Sequence, residues 1–474
     1  MKIHHKLIIL FIILILPGFS FCNQKSNIEE DNTGLELVIT PYTTTIFSNG
    51  HDFSSIVVRV VDKSGNQVKN AQAPLKIIVI GNGSIAVDEI TGTQQTIIKK
   101  IQNGVWETQL IEGSFSFNLV AGTSADIIKV EVQSEGLLSA STEIHSIMPF
   151  DSSVPWEGQL KQSEKFIDKM LGADISFLPE LESYGIKFSD KGAQKDAIEI
   201  LKDHGFNYIR LRIFVDPAVS NGYSPEKGFC NLERTKQMAL RIKKAGMKFL
   251  LDFHYSDYWA DPQQQNKPAS WDGLTGDKLA NALKSYTKSV LSSLKSQGTL
   301  PDMVQIGNEI NHGMIWPDGH IDNPDQLAEL LKAGIAGISE IDSSIVIMLH
   351  VALGGQNAES VFWFDNMIAR GVDFDIIGLS YYPKWHGTLD DLKYNMLDLI
   401  SRYGKDINLV EYSQKKEEVN DIVFNLPDGR GKGTCIWEPL NTWEQIFDKE
   451  GKSNSMINIY DEISSKYMIP DCRY

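Results

Sequence analysis

The sequence predicts a (β/α)8 TIM barrel preceded by an all-β sandwich of immunoglobulin type. Three observations carry this. Between residues 35 and 147, short β-branched runs are separated by turn residues. From 166 to 474, apolar strand-like runs alternate with helix-like stretches, the texture of a parallel sheet. Eight strand candidates fall in that second part, and no glycine-rich phosphate loop follows the first, which sets aside a doubly wound sheet.

Taken in order, the chain begins with Lys2 and Lys6, then an unbroken apolar run over 7–16 ended by Pro17 and Gly18. That run is short for a membrane span and reads as a signal peptide over 1–22. Cys22 follows directly in Gly18-Phe19-Ser20-Phe21-Cys22. This is similar to the processing site of bacterial lipoproteins, although Phe21 stands where a small residue is usual. The expectation is an exported protein, held at a bacterial cell surface or outer membrane by a lipid on Cys22, and otherwise secreted or periplasmic. Residues 23–34 are polar and acidic, a tether. Cys230, Cys435 and Cys472 remain; their odd number and wide spacing give neither a disulfide framework nor a zinc motif. No later segment is long and apolar enough to span a membrane.

In the sandwich, strands are expected at 55–61, 75–80, 105–111, 114–119, 127–133 and 140–145. The stretch VVRVVDKSGNQVKNA, residues 57–71, resembles the immunoglobulin-like modules found beside many bacterial glycosidases. Nothing in it suggests chemistry; a spacer is the expected role, with glycan binding as the alternative. A linker over 148–165 contains Pro149 and Pro155. Barrel strands are expected at 170–175, 208–214, 247–253, 303–306, 345–350, 375–380, 408–411 and 434–437. Helices are expected between them at 194–203, 232–245, 277–296, 324–341, 360–369 and 389–402.

Lys and Arg number 45 against 61 Asp and Glu, a formal charge of -16. A surface that negative repels phosphate backbones, so nucleic acid is not an expected partner. In a barrel of this kind, chemistry gathers at the C-terminal strand ends. Those ends carry Asp174, Arg212, His254, Asn308 with Glu309, His350, Tyr381 with Tyr382, Glu411 and Trp437. Glu309 and Glu411 close the fourth and seventh strands, across the mouth from one another. Retaining glycoside hydrolysis needs two carboxyl groups about 5–5.5 Å apart. One stays protonated for the leaving oxygen and the other is ionised to attack the anomeric carbon. Asn308 is placed to reach a sugar 2-hydroxyl, Arg212 to keep the nucleophile ionised, and Tyr382 to orient it. Eight of the nine Trp follow residue 150. Trp259, Trp271, Trp316, Trp385 and Trp437 fall at strand ends or in the loops beyond, where aromatic faces could stack on sugar rings.

These residues resemble a known family. Gly172-Ala173-Asp174-Ile175-Ser176, Ile209-Arg210-Leu211-Arg212, the run from His254 through Ser256, Asp257, Trp259 and Ala260 to Pro262, Gly307-Asn308-Glu309-Ile310, Ser380-Tyr381-Tyr382-Pro383 and Trp437-Glu438-Pro439 are similar to glycoside hydrolase family 53, which contains the arabinogalactan endo-β-1,4-galactanases. The resemblance covers about 166–470. It implies a retaining enzyme that cuts β-1,4-galactan, the side chain of type I arabinogalactan and pectin, without a cofactor. It places the acid/base on Glu309 and the nucleophile on Glu411. Asp174, Arg212, His254, Asp257, Asn308, Tyr382 and Trp437 would line the subsite around the cleaved bond. The chain departs from the family pattern at Glu411-Tyr412-Ser413, where Glu-Thr is usual, and at His350-Val351-Ala352, where His-Leu-Asp is. Some bacterial members bind calcium after the seventh strand; the segment over 411–433 is short and its acids lack ligand spacing, so no calcium and no other metal is expected. Two alternatives remain: a related retaining endo-glycanase acting on mannan, xylan or glucan, and a surface glycan-binding protein without turnover.

Overall fold

The computed structural model describes residues 35–147 and 163–470, apart from 49, 51–52, 64, 66, 86–97, 164 and 441–444. The leader with Cys22, the 23–34 tether, Cys472 and most of the 148–165 linker lie outside the described residues. Cys230 and Cys435 are buried free thiols.

Ten strands build the N-terminal sandwich: β1 Glu36–Pro41, β2 Thr45–Phe47, β3 Phe53–Val61, β4 Pro74–Ile80, β5 Gly83–Ile85, β6 Lys99–Gln102, β7 Val105–Gln109, β8 Ser114–Ala121, β9 Asp126–Gln133 and β10 Ala140–Ile147. One sheet runs β1-β3-β8-β5 and the other β2-β10-β9-β4-β7-β6. Strand alternation sorts the two faces: Ile56, Val58 and Val60 of β3 meet Leu75, Ile77 and Val79 of β4 in one core, while the residues between them turn outward. The strands not anticipated are β1, β2, β5 and β6. Three of these have four residues or fewer, too few for a period of two to show.

Eight parallel strands close a barrel in chain order: Met170–Asp174, Tyr208–Ile213, Lys248–Phe253, Met303–Ile306, Val346–Val351, Ile376–Tyr381, Asp406–Tyr412 and Gly431–Trp437. Helices return the chain between them. Leu232–Lys244 shows why such a segment is helical. Asn231 caps it by accepting from Arg234 N at 2.9 Å, and Glu233 sits in its first turn. Thr235, Met238, Ala239 and Ile242 repeat at helical spacing and are buried. Further helices at Lys416–Phe424 and Asn458–Tyr467 were not expected.

Both faces of each barrel strand are buried, so alternation separates two interiors rather than core from solvent. Ile209, Leu211, Phe249, Leu251, Val304 and Ile306 face the helices. Met170, Tyr208, Leu250, Met303, Val346, Met348, Ile376, Val410 and Cys435 face the axis and fill its lower end. Two or four residues further along the same strands, the axis-facing positions turn polar: Asp174, Arg210, Arg212, Asp252, Gln305, His350 and Ser380, all buried.

The sandwich rests on the barrel mouth. Thr44 N donates to Glu359 Oε2 at 3.1 Å, Asn311 Nδ2 to Tyr42 O at 3.2 Å, and Arg59 Nη2 to Gln263 O at 3.3 Å. The module is docked on the barrel by these contacts. The turn between β1 and β2 is short and polar, and no local pattern signals that it docks. Among the described residues, no helix is long and apolar enough to cross a membrane.

Candidate active site

Two backbone irregularities aim the two carboxylates. The fourth strand ends at Ile306, and the chain turns through Gly307 at φ 74° and Glu309 at φ 49°. A side chain at Gly307 would stand 2.5 Å from Ile310 Cγ2, so this turn needs glycine. Glu309 itself lies in the left-handed region, which a non-glycine residue occupies at an energetic cost. The seventh strand carries an extra residue. Gly378 pairs with Asn408, but Ser380 pairs with Glu411; on the other side Leu409 pairs with Thr434, but Tyr412 with Ile436. Val410 faces the axis, so simple alternation would turn Glu411 toward the helices. The bulge turns it back, and Val410 and Glu411 both point inward.

One oxygen of each carboxylate and one nitrogen of His350 lie within 4.8 Å of one another. The spacing suits a retaining pair. This is also the one group of three among the described residues that could hold a metal ion. His350, however, is taken up on both nitrogens: Gln305 Nε2 lies 3.1 Å and Glu309 N 3.3 Å from Nδ1, and Ser380 Oγ lies 2.8 Å from Nε2. With Nδ1 accepting, Nε2 carries the proton and donates to Ser380, whose hydroxyl donates to Glu309 Oε1 at 2.7 Å.

The surroundings of the two acids differ. Burial and the nearby charge of Glu411 push the Glu309 carboxyl well up, with the Ser380 hydroxyl opposing. Burial also raises Glu411, but Arg210 and the Tyr382 hydroxyl pull it back. Arg210 Nη1 lies 3.3 Å from Glu411 Oε2, and Tyr382 Oη donates to Glu411 Oε1 at 2.8 Å. Glu411 therefore ionises first, and its charge helps hold the proton on Glu309.

The cation beside Glu411 is Arg210, not Arg212. Both point to the axis, being two apart in one strand, but Arg210 lies one layer deeper, among Asp174, Asp252 and Glu411. Arg212 sits higher, pairs with Glu438, and is sandwiched between Phe177 and Trp259 with its guanidinium carbon 4.4 and 4.3 Å from the ring centres. Asp174, His254 and Asp257, expected against the substrate, each hold partners within the protein. Asp174 accepts from Ser176 and Arg210. His254 accepts from Ala260 N at Nδ1 and lies 3.1 Å from Asp252 at Nε2. Asp257 accepts from Asp216 N and Ala269 N, joining two loops.

Asn308 Oδ1 accepts from Arg210 Nη2 at 2.8 Å, and Nδ2 donates to Ala260 O at 2.9 Å, which leaves one amide hydrogen. Trp437 stands with Trp259 and Phe177 in an edge-to-face cluster, ring centres 6.0–6.4 Å apart. Trp271 belongs to the core, packed between Tyr255 and Tyr286, rather than to a subsite. Trp316 packs on His320, and Trp385 on Tyr382. Arg210, Asp252, Gln305, Ser380 and Glu438 were missed as site residues. Counting back two positions from Arg212 and His254 along an axis-facing series finds Arg210 and Asp252.

Two family models match the chain: Glycoside hydrolase family 2 C-terminal domain 5 over residues 37–143, and Glycosyl hydrolase family 53 over residues 170–428. An uncharacterised protein of Niallia circulans is 49% identical over 320 residues, covering 59% of this chain and 84% of its own length. The arabinogalactan endo-beta-1,4-galactanase A of Emericella nidulans is 36% identical over 249 residues, covering 51% and 69%. Among solved structures, the Ignisphaera aggregans GH53 catalytic domain superposes with a TM-score of 0.57 at 30% identity, covering 62% of this chain and 98% of that one. The family model spans more than half of the chain and includes both carboxylates, the bulged strand and the whole Arg210 network: the chain belongs to glycosyl hydrolase family 53.

Proposed function

We infer that the chain is an endo-acting, retaining hydrolase of β-1,4-galactan, the type I arabinogalactan side chain of pectin. The observation that carries the chemistry is the pair of buried carboxylates with opposed surroundings. Glu411, with Arg210 and Tyr382 on its two oxygens, attacks the anomeric carbon. Glu309, kept protonated, gives its proton to the leaving oxygen, and a covalent glycosyl-enzyme forms. Glu309, now ionised, takes a proton from water, which attacks the same carbon and releases the sugar with its original anomeric configuration. Asn308 is placed to donate its remaining amide hydrogen to the sugar 2-hydroxyl. The galactan substrate is supported by family membership and by relatives that carry the galactanase name.

The test is incubation of the protein with unbranched β-1,4-galactan, with products followed by chromatography and by proton NMR. A ladder of short oligosaccharides appearing first as the β-anomer is expected. Cleavage of mannan, xylan or glucan in its place would overturn the substrate and leave the chemistry; α-anomer first would overturn the nucleophile. We also propose export with a lipid on Cys22, supported by the basic, apolar and cysteine order of the leader. A Cys22→Ser variant should leave the membrane fraction.

A further inference from the structure

We propose that Tyr42, in the turn between β1 and β2 of the sandwich domain, is a substrate-binding residue of the barrel's active site. With Trp385 it forms the wall that receives the sugar on the leaving-group side of the cleaved bond. The proposal rests on the reading of the chain as a galactanase and adds that its site is shared between two domains.

Four observations support it. First, the turn is fastened at both ends, so the ring is held rather than trailing. Tyr42 N donates to Ser55 O at 2.7 Å, His145 N to Thr44 O at 2.8 Å, and Ser54 Oγ bonds the backbone of Thr43. Second, the hydroxyl lies in the catalytic network. Tyr42 Oη is 2.8 Å from His386 Nε2, and His386 Nδ1 accepts from the backbone N–H of Tyr382, the residue that bonds Glu411. With Nδ1 accepting, Nε2 carries the ring proton and donates to Tyr42. The phenol's own proton is then left for another acceptor. A sugar hydroxyl or ring oxygen supplies one; a bare aromatic contact within the protein would not.

Third, Tyr42 and Trp385 lie almost parallel, 16° between planes and 6.3 Å between centres, and both are half-buried. They stand by the loops after the fourth and sixth strands, whereas Phe177, Trp259 and Trp437 crowd the ends of the first, third and eighth. The cleft thus has two aromatic walls on opposite sides of the carboxylate pair. Fourth, Tyr42 belongs to the Glu309 side. Its carbonyl accepts from Asn311, two residues beyond Glu309. Burial, then the charge of Glu309, then that of Glu411 raise its hydroxyl pKa well above the ordinary value. The acid stands beside the leaving oxygen, so the wall next to it meets the departing part of the chain.

The test compares two substrates. β-1,4-Galactan places sugar on both sides of the cleaved bond; an aryl β-1,4-galactobioside places none on the leaving side. Tyr42→Ala should lower kcat/KM on galactan by about tenfold, mostly through KM, and on the aryl glycoside by less than about twofold. Tyr42→Phe should fall between wild type and Tyr42→Ala. Arg59→Ala, which removes the domain contact to Gln263 O and leaves the hydrogen bonds of the Tyr42 turn in place, should leave both substrates unchanged. Equal losses on the two substrates, no loss on galactan, or the same galactan loss in Arg59→Ala would each overturn the role of Tyr42. A wild-type protein that leaves galactan intact refutes the substrate reading instead, and the comparison is then made with the glycan that is cleaved and its aryl bioside.

Discussion

The lower and upper halves of the barrel interior are built from the same strands with the same alternation, yet they hold opposite chemistry. Below, Leu250, Met303, Met348 and Ile376 fill the axis with no charged group among them. Above, Arg210 meets three carboxylates within 3.3 Å, and Gln305, Asn308 and His350 occupy the remaining lone pairs and hydrogens. The comparison teaches that burial is not what distinguishes a core from a site. Both layers are buried. The upper one is tolerable because Arg210 opposes Asp174, Asp252 and Glu411, and it is useful because Glu309 has no such cation on it.

Substitutions in the two layers should therefore separate activity from stability. The largest effect is expected for Glu411→Gln: turnover on galactan falls by at least roughly a thousandfold, while the thermal midpoint moves little. Retention of most turnover would remove Glu411 as nucleophile. Leu250→Ala in the lower layer should do the reverse, costing about 2–5 kcal/mol of unfolding free energy with kcat/KM nearly unchanged well below the midpoint. Denaturant unfolding with parallel assays reads both; a loss of activity larger than the loss of folded protein would show that the layers are coupled.

A smaller effect sharpens the contrast between the two acids. Activity needs Glu411 ionised and Glu309 protonated, so the pH profile is a bell. Tyr382→Phe removes a hydrogen bond that favours ionised Glu411, so its acid limb should move to higher pH and the bell should narrow. Ser380→Ala removes a hydrogen bond that favours ionised Glu309, so the alkaline limb should move to higher pH and the bell should widen. Profiles of kcat/KM that shift in the same limb for both variants would overturn the assignment of acid and nucleophile.

Much of this was legible in the sequence, for reasons that also explain what was not. The eight barrel strands announce themselves as short, mostly apolar runs alternating with helical stretches, and Glu309 and Glu411 stand out because they follow two such runs. Arg210 and Arg212 are the same residue type two positions apart in one strand, and local pattern does not tell which lies a layer deeper beside Glu411. The bulge at the seventh strand has no residue signature, since Leu409, Val410 and Glu411 read as an ordinary strand end. Tyr42 lies 344 positions from His386, a pairing that only the docking of two domains creates. Trp271 was read as a possible sugar platform from its loop position, whereas Tyr255 and Tyr286 bury it as core. Local pattern carries periodicity and chemical type; it carries neither depth along an axis nor contact between domains.

The bulge has a bearing on redesign. A carboxylate grafted by identity alone onto the same strand end of another barrel would face that barrel's helices, because its direction is set by the number of backbone units before it. The transferable unit is a strand one residue too long for its neighbours. Removing a single residue between Asn408 and Glu411 would leave every functional group in the chain and still turn the attacking oxygen away from the cleft.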